Sequence, residues 1–285
     1  MIQIPTVRWG IIGAGDIAHR VMAPAMRESE CSQLVAVMRR SMEGAEEFAH
    51  EHGARRAYDD VEKLLQDPEV DAVYIATPVD QHCPNTLAAA NRRKHVLCEK
   101  PLALNVSEAE VMLEACRTTG ITAMTCYYQR FNARHQKIKE ILGRGDIGQV
   151  SSVRWNFSGR SPANPNAWSQ DRAQSGGGPY MDLGSHGVDL LRFLFGKIVA
   201  VTAFVDTLVE DYAVEDTASS LLRFANGIQA VATAHWSTAD PDENRNSMIE
   251  ILGTEGVIHS YPLHDKFSRG HLSVATGGGE KCYQF

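Results

Sequence analysis

The stretch that decides the fold is VRWGIIGAGDIA, residues 7–18. Its first six residues read as a buried strand, and a helical pattern of apolar residues follows the glycines. Gly13 permits a tight turn, and Gly15 lets the backbone approach a pyrophosphate at the start of the helix. This is the context that a dinucleotide-binding fingerprint requires, although a glycine turn that binds nothing is the alternative. The residues expected at the dinucleotide are Gly13, Gly15, Asp16 and Ile17.

Short apolar runs alternate with helical patterns from this stretch as far as residue 125. Such a rhythm is typical of a doubly wound parallel sheet with crossover helices. Further strands are predicted at 34–38, 70–76, 95–98 and 121–125, and helices at 41–52, 60–65, 81–93 and 107–119. Ser107 is expected to cap the last helix, with Glu110 completing a capping box.

Beyond residue 125 strands follow one another with few helices between them, which indicates an antiparallel sheet. Strands are predicted at 149–155, 200–209, 217–224, 228–236, 247–252 and 256–260, and helices at 132–142 and 182–195. Asn226-Gly227 is a strong hairpin signal between two of the strands. We therefore expect an α/β chain with a Rossmann domain over 1–125 and an α+β domain with a mainly antiparallel open sheet over 126–285.

Composition excludes several classes of partner. The 285 residues carry 28 basic and 35 acidic side chains, a net charge of −7, and no block of lysine and arginine, so a nucleic-acid partner is not expected. No run approaches membrane-spanning length, and residues 1–5 lack the features of a signal peptide. Six cysteines without a Cys-x-x-Cys pair indicate reduced thiols, and we expect a cytoplasmic protein.

Lys100 is the first candidate for chemistry. It follows the predicted strand at 95–98, and in open parallel sheets ligands bind beyond the carboxyl ends of the strands. A lysine partly stripped of water there can act on a proton, because desolvation lowers its pKa. The alternative is an exposed lysine that opens a loop.

Asp182 and His186 form a second candidate site. They lie four residues apart at the start of one predicted helix, and that spacing places them on one helix face. Gly184 and Gly187 are expected to leave room there for another molecule. The histidine is suited to general acid or base catalysis, with the carboxylate orienting it. Two alternatives stay open: Asp182 as a helix cap with His186 packed between domains, or a metal site that adds Asp189.

The end of the second predicted strand indicates which dinucleotide is bound. An acidic residue there selects NAD, whereas arginine suits the 2′-phosphate of NADP. Arg39, Arg40 and Ser41 follow the strand, and no carboxylate does. We therefore favour NADP(H), with NAD(H) possible, and the alternative is a solvated loop.

Three motifs in this order resemble the Gfo/Idh/MocA family of nicotinamide-dependent sugar and polyol oxidoreductases: the glycine fingerprint, Glu99-Lys100-Pro101, and the glycine-rich helix with Asp182 and His186. The likeness covers nearly the whole chain. It implies a catalytic set of Lys100, Asp182 and His186. It places Thr77, Pro78, His82, Glu99 and also Lys100 beside the cofactor, the first four at its nicotinamide half, and it implies a cis peptide bond at Lys100-Pro101.

The expected activity is hydride transfer between the nicotinamide and a sugar, polyol or related hydroxyl or carbonyl substrate. An NADP-binding sensor of the same fold and an NAD-assisted glycosidase are the alternatives. Side chains expected at the substrate are Tyr127, Tyr128, Trp155, Trp168, Asn156, Arg160 and Asp171, besides Asp182 and His186. The open sheet indicates a homodimer or homotetramer. The resemblance also implies further helices after the sheet, so we expect either that the C-terminus is missing or that this member is short.

Overall fold

The computed structural model describes residues 5–238, 247–263 and 269–285. The prediction that residues 1–5 lack the features of a signal peptide concerns mostly residues 1–4, which lie outside the described residues. The chain divides into two compact units: the first comprises residues 1–126 with 173–176, and the second comprises residues 127–172 with 177–285.

The first unit is built on a six-stranded sheet in which every described strand pair is parallel. The strands are β1 (Val7–Ile12), β2 (Ser32–Met38), β3 (Arg56–Tyr58), β4 (Ala72–Ile75), β5 (His95–Cys98) and β6 (Ala123–Thr125). Their order is β3-β2-β1-β4-β5-β6. In this doubly wound arrangement β2 and β3 are added on one side of β1, and β4, β5 and β6 are added on the other. The predicted Rossmann architecture is thereby confirmed.

Helices cross over between these strands. They are α1 (Ala23–Glu28), α2 (Met42–His52), α3 (Val61–Leu65), α4 (His82–Asn91) and α5 (Val106–Thr119), with a π-helical turn over Ala18–Met22 and a 3-10 turn over Val79–Gln81. Ser41 caps α2 by accepting the N–H of Gly44, and Gly53 ends that helix in the left-handed conformation. The predicted cap of α5 is wrong, because Asn105 rather than Ser107 accepts the N–H of Glu108.

Buried aliphatic side chains cover both faces of this sheet. One cluster contains Ile12, Val73 and Ile75, and a separate one contains Ile11, Val37 and Tyr74. Residues that alternate along each strand thus enter different cores, as expected for a parallel sheet with helices on both sides. The sheet holds the carboxyl ends of β1, β2, β4 and β5 along one edge.

The second unit contains an eight-stranded sheet covered by helices on one face. Its strands are β7 (Val150–Ser158), β8 (Ile198–Asp206), β9 (Thr217–Phe224), β10 (Gln229–His235), β11 (Ser247–Gly253), β12 (Gly256–Tyr261), β13 (His271–Thr276) and β14 (Gly279–Tyr283). The helices are α6 (Ala133–Arg144) and α8 (Ser185–Phe195), with 3-10 turns over Tyr128–Phe131 and Trp168–Gln170 and a π-helical turn over Tyr180–Gly184. The short helix α7 (Arg172–Ser175) lies where the chain passes from one unit to the other.

The sheet order is β14-β13-β12-β11-β7-β10-β9-β8, and all described neighbours are antiparallel except β7 and β10. The predicted α+β domain with a mainly antiparallel sheet is confirmed, as is the hairpin at Asn226-Gly227 between β9 and β10. Trp155, Leu222 and Ile249 on the inner face pack in one core with Ile138 of α6 and Leu191 of α8.

The opposite face of this sheet carries a different set of side chains. Leu221 of β9 and Val231 of β10 are paired across the sheet, and both are exposed. Beside them Arg154 pairs with Glu250, whose second oxygen lies 3.0 Å from Nε2 of His259. Among the described residues no helix combines the length and the apolar character needed to cross a membrane.

Candidate active site

The glycine turn after β1 has the geometry that its residues predict. Gly13 has φ +86°, and a Cβ there would lie 2.8 Å from the backbone of Ala76. A Cβ on Gly15, by contrast, would meet nothing within 4 Å. Ala18 is fully buried where the helical segment packs on the sheet. The turn is therefore tight at its first glycine and open at its second, which fits the close approach of a pyrophosphate.

The end of β2 presents three polar residues. Arg39 and Arg40 are exposed, and neither forms an ion pair with a carboxylate in the described parts of the chain. Arg39 spans the start of α2, with its Nη1 3.4 Å from the carbonyl oxygen of Gly44. Ser41 caps the same helix. The Arg39 guanidinium thus lies beside the first turn of α2, and Arg40 is the exposed residue that follows it.

His82 links two loops that follow strands of the first unit. Its Nδ1 lies 2.9 Å from the carbonyl oxygen of Pro101, and its Nε2 lies 3.0 Å from that of Thr77. The imidazole is almost fully buried, and burial lowers its pKa. With both ring nitrogens facing backbone carbonyls, His82 holds the Thr77-Pro78 loop to the Lys100-Pro101 loop.

Lys100 follows β5 and is partly buried, and its peptide bond to Pro101 is cis as expected. The Glu99 carboxylate accepts the Lys100 N–H at 3.1 Å with one oxygen and the Tyr74 hydroxyl at 2.5 Å with the other. Tyr74 is fully buried on β4, and desolvation, followed by the nearby Glu99 charge, raises its phenol pKa. A neutral phenol therefore donates to Glu99 and fixes the backbone from which the lysine extends.

Sequence reasoning missed Tyr74. A signal was present, since one hydroxyl stands within the buried run Ala-Val-Tyr-Ile and must find a partner there. The thiols nearby are not reactive candidates: burial raises the pKa of Cys126 to about 12, and burial also raises that of Cys98.

Asp182 and His186 of the second unit lie on two kinds of helix. Asp182 belongs to the π-helical turn, whereas His186 belongs to the first turn of α8. A π turn inserts an extra residue, so the spacing of a regular α-helix does not carry over unchanged. That the two side chains share a face stays a prediction. Such turns occur frequently at functional sites.

Glu215, which the sequence did not single out, supports this turn. Its carboxylate accepts the N–H groups of Gly178 at 2.8 Å and Tyr180 at 3.2 Å. The approach is close, because a Cβ on Gly178 would lie 1.9 Å from the Glu215 carbonyl oxygen. A carboxylate from the segment before β9 thus caps the helical stretch that carries Asp182. No local pattern could reveal it, since the partners are 35 or more residues away.

His186 is buried among aromatic rings of its own unit. The ring of Tyr128 meets it edge-on at 5.1 Å, and that of Tyr127 meets it at 6.2 Å. Arg130, in the same 3-10 turn as Tyr128, forms a two-point ion pair with Asp189 of α8. This pair fixes the tyrosines against the helix, and it engages Asp189, the second carboxylate of the metal site considered from the sequence.

Two expectations about this region are wrong. The space beside Gly187 is filled by the Trp155 ring, 2.5 Å from where a Cβ would lie, and the space beside Gly184 is filled by the Tyr180 ring. These glycines therefore admit side chains of the protein itself. Trp155 is only 2% exposed and belongs to the core, so it does not line an open pocket.

The remaining predicted substrate contacts are dispersed. Asn156 lies on the outer face of the sheet, where it accepts the Thr233 hydroxyl at 2.7 Å. Arg160 is 3.9 Å from Glu210, and Trp168 is exposed in its 3-10 turn. The sheet alternation explains Asn156, since it neighbours Trp155 and must point to the opposite side. Asp171 precedes α7.

Comparison with known proteins agrees with these features. The model of the oxidoreductase family with an NAD-binding Rossmann fold matches residues 7–127, and that of the GFO/IDH/MocA C-terminal domain matches residues 135–259. The chain is 33% identical over 277 residues to 1,5-anhydro-D-fructose reductase of Ensifer adhaerens, covering 96% of this chain and 81% of that protein. It is also 33% identical over 259 residues to trans-1,2-dihydrobenzene-1,2-diol dehydrogenase of Danio rerio, covering 90% and 75%.

A solved structure of levoglucosan dehydrogenase in complex with NADH superposes with a TM-score of 0.88 at 26% identity, covering 98% of this chain and 80% of that one. The relatives are dehydrogenases and reductases, and they match along both units. The chain therefore belongs to the Gfo/Idh/MocA family of oxidoreductases with an NAD-binding Rossmann fold.

Proposed function

We propose that this protein is an NADP(H)-dependent dehydrogenase or reductase that acts on a CH–OH group, or the matching carbonyl, of a sugar or polyol. The observation that carries the proposal is the placement of Lys100, whose backbone is fixed by Glu99 and Tyr74 at the end of β5. An amine at that edge of a parallel sheet lies where ligands of such sheets bind. Residues 1–125 form the cofactor domain in this proposal, and residues 126–285 form the domain for substrate and oligomer.

The first unit offers a cradle that suits the dinucleotide. Gly13, Gly15, Asp16 and Ile17 would hold the pyrophosphate, since the space beside Gly15 is open. Arg39, Arg40 and Ser41 would hold the 2′-phosphate through charge-assisted hydrogen bonds. When bound, the nicotinamide supplies a hydride acceptor or donor. Thr77, Pro78 and Glu99 would border that ring, while His82 positions their loops through its two carbonyl contacts.

Three side chains would act on the substrate oxygen. His186 is proposed to exchange a proton with it as general acid or base. Lys100 is proposed to donate a hydrogen bond to the same oxygen and to stabilise negative charge that develops on it. Asp182 is proposed to orient the histidine or to bind a neighbouring hydroxyl. Glu215 supports the turn that contains Asp182, and the Arg130–Asp189 pair supports the helix that contains His186, both within the second unit.

The substrate class rests on the relatives and on the aromatic side chains. The relatives named above act on an anhydro sugar, levoglucosan and a cyclic diol, as their names state. Tyr127 and Trp168 are the ring-bearing residues that we propose as substrate contacts, because neither is buried. Flat apolar rings suit the C–H faces of cyclic polyols.

A panel assay tests the activity. NADPH oxidation and NADP reduction are followed by absorbance with 1,5-anhydro-D-fructose, levoglucosan, inositols, aldoses and cyclic diols. Net cofactor turnover with one of these carbonyl or hydroxyl compounds supports the proposal. Glycoside release without net turnover would assign the NAD-assisted glycosidase instead, and tight NADPH binding without either reaction would assign a sensor.

We also propose a homodimer or homotetramer assembled through the outer sheet face. Leu221 is 60% exposed and Phe204, at the neighbouring edge strand, is 78% exposed, and apolar surface of this kind marks association sites. Light scattering should show a mass above that of one 31.4 kDa chain. A Leu221→Lys substitution should reduce it to the monomer, and a wild-type monomer would refute the proposal.

The six thiols, which form no disulfide with one another, suit a reducing compartment. On this ground we propose a cytoplasmic location.

A further inference from the structure

Two histidines and a glutamate meet in the first unit, away from Lys100 in the sequence. His19 lies in the π-helical turn that follows the glycine turn, whereas Glu51 and His52 lie in the last turn of α2. No sequence motif connects them, since 32 residues separate His19 from Glu51. The fold brings them together because the segment around Ala18 and the helix around Phe48 pack on the same side of the sheet.

The donor atoms form a compact triangle. His19 Nδ1 lies 3.0 Å from His52 Nε2 and 3.5 Å from Glu51 Oε2. The three donor atoms all lie within 4.8 Å of one another. Ligands at about 2.1 Å from a tetrahedral ion are separated by about 3.4 Å, so both measured distances are close to that value.

We propose that His19, Glu51 and His52 bind a divalent transition-metal ion of the zinc class. Two imidazoles and a carboxylate are a donor set that zinc accepts, with a fourth position left for water or another ligand. His19 Nδ1 and His52 Nε2 are hydrogen-bonded to each other at 3.0 Å, so one of them carries a proton that the other accepts. When both nitrogens bind the ion, that proton moves to the other nitrogen of the same imidazole, so that each neutral ring keeps one proton.

The surroundings suit a partly open site. His52 is 8% exposed, and its ring lies tilted by 42° against that of Phe48 with the centroids 4.4 Å apart, which restricts its orientation. The Glu51 side chain is 57% exposed, so an ion can enter from that side. Arg27 brings positive charge near His52, and Glu51 therefore has to supply the compensating negative charge.

Such an ion would join the segment after the glycine turn to α2. The inference is independent of the proposed activity, since its residues are separate from Lys100, Asp182 and His186. A ligand that binds only the folded state raises the midpoint of thermal unfolding. Zinc should therefore raise the melting temperature of the wild-type chain.

The test is a Zn²⁺ titration of the chelator-treated full chain in competition with a chromophoric chelator. We expect one site per chain whose affinity falls at least about tenfold in His19→Ala, His52→Ala and Glu51→Gln, by analogy with the loss seen when even an outer partner of a zinc ligand is removed. His50→Ala is the matched control, because His50 is exposed on the same helix one residue before Glu51. Its affinity should equal that of the wild type.

Two further measurements separate a loss of metal binding from a loss of folding. Glu51→Gln changes an exposed side chain, so circular dichroism should show an unchanged fold even if His52→Ala is unstable. Co²⁺ bound to the wild type should give the visible absorption of a tetrahedral site, and this should disappear in Glu51→Gln or His19→Ala. All titrations are repeated in a Cys282→Ser background, because His271, Glu280 and Cys282 form another cluster of donors.

Equal Zn²⁺ affinity in the wild type, His19→Ala and Glu51→Gln would overturn the inference. So would a site that is lost in Cys282→Ser or in His186→Ala but kept in the three variants. Loss of binding confined to the three variants, with His50→Ala unchanged, would establish it.

Discussion

Glu215 provides the sharpest prediction about the second unit. Its carboxylate is the described acceptor for the N–H groups of Gly178 and Tyr180 at the start of the π-helical turn. A hydrogen bond to a charged group contributes about 1.5–3 kcal/mol, and an unsatisfied buried N–H costs a similar amount. Glu215→Ala should therefore lower the free energy of unfolding by about 3–5 kcal/mol. Glu215→Gln retains one acceptor oxygen and should lose about half of that.

Replacement of Glu215 should also lower the catalytic rate, because the π-helical turn contains Asp182 and leads into His186. We expect Glu215→Gln to lower kcat with the best substrate of the panel by about 10- to 100-fold, the effect of misplacing a reacting group by a fraction of an ångström to 1 Å. Hydrogen exchange of peptides covering 178–186 should quicken in parallel. This second measurement does not depend on a known substrate.

Glu250→Gln is the control for Glu215→Gln. Glu250 is likewise a carboxylate of the second unit with two partners, but it lies on the outer face of the sheet with Arg154 and His259. Glu250→Gln should leave kcat and the hydrogen exchange of residues 178–186 unchanged. If Glu215→Gln matches the wild type in stability, exchange and kcat, the positioning role is refuted.

Three other predictions concern single contacts. Tyr74→Phe removes the donor to Glu99 and should lower kcat up to about 100-fold while the Kd of NADPH stays unchanged; a parallel loss of both would contradict a positioning role. Arg39→Ala and Arg40→Ala should each weaken NADPH binding by about 10- to 100-fold in fluorescence titrations without affecting NADH, and tighter NADH than NADPH binding by the wild type would refute the cofactor assignment. Burial lowers the pKa of His135 to about 4, so the unfolded chain takes up a proton near pH 6.5 and the folded chain does not. The free energy of unfolding should therefore fall by about 3 kcal/mol as the pH falls from 6.5 to 4. Urea unfolding of His135→Gln should lack this pH-dependent loss.

The first unit could be predicted well because its signals are local. The apolar run of β1 ends at Gly13, whose positive φ only glycine adopts readily, and the helix α2 begins at Ser41 and ends at Gly53. β3 was not predicted, because three partly buried residues leave no periodic pattern. The cap of α5 was misplaced by two residues, since Asn105 and Ser107 are both good caps and each is followed by Glu three positions later.

The second unit was predicted in outline but not in its packing. The strands β9 and β10 follow from alternation and from Asn226-Gly227. The fit of Trp155 against Gly187 could not be foreseen, because it depends on how α8 lies across the sheet. The π turn and its Glu215 cap are likewise products of tertiary packing. Local sequence patterns do not predict contacts between residues that lie far apart in the sequence.

The central claim is that Lys100 and His186 act on one substrate oxygen and are not needed to bind the cofactor. The measurement that tests it most directly is kcat together with the Kd of NADPH for Lys100→Met and His186→Ala. Each variant should lose at least about 100-fold in kcat, the usual contribution of a general acid or base, and keep the Kd of NADPH within about threefold. Unchanged kcat in either variant, or an equal loss of kcat and NADPH affinity, would contradict the claim.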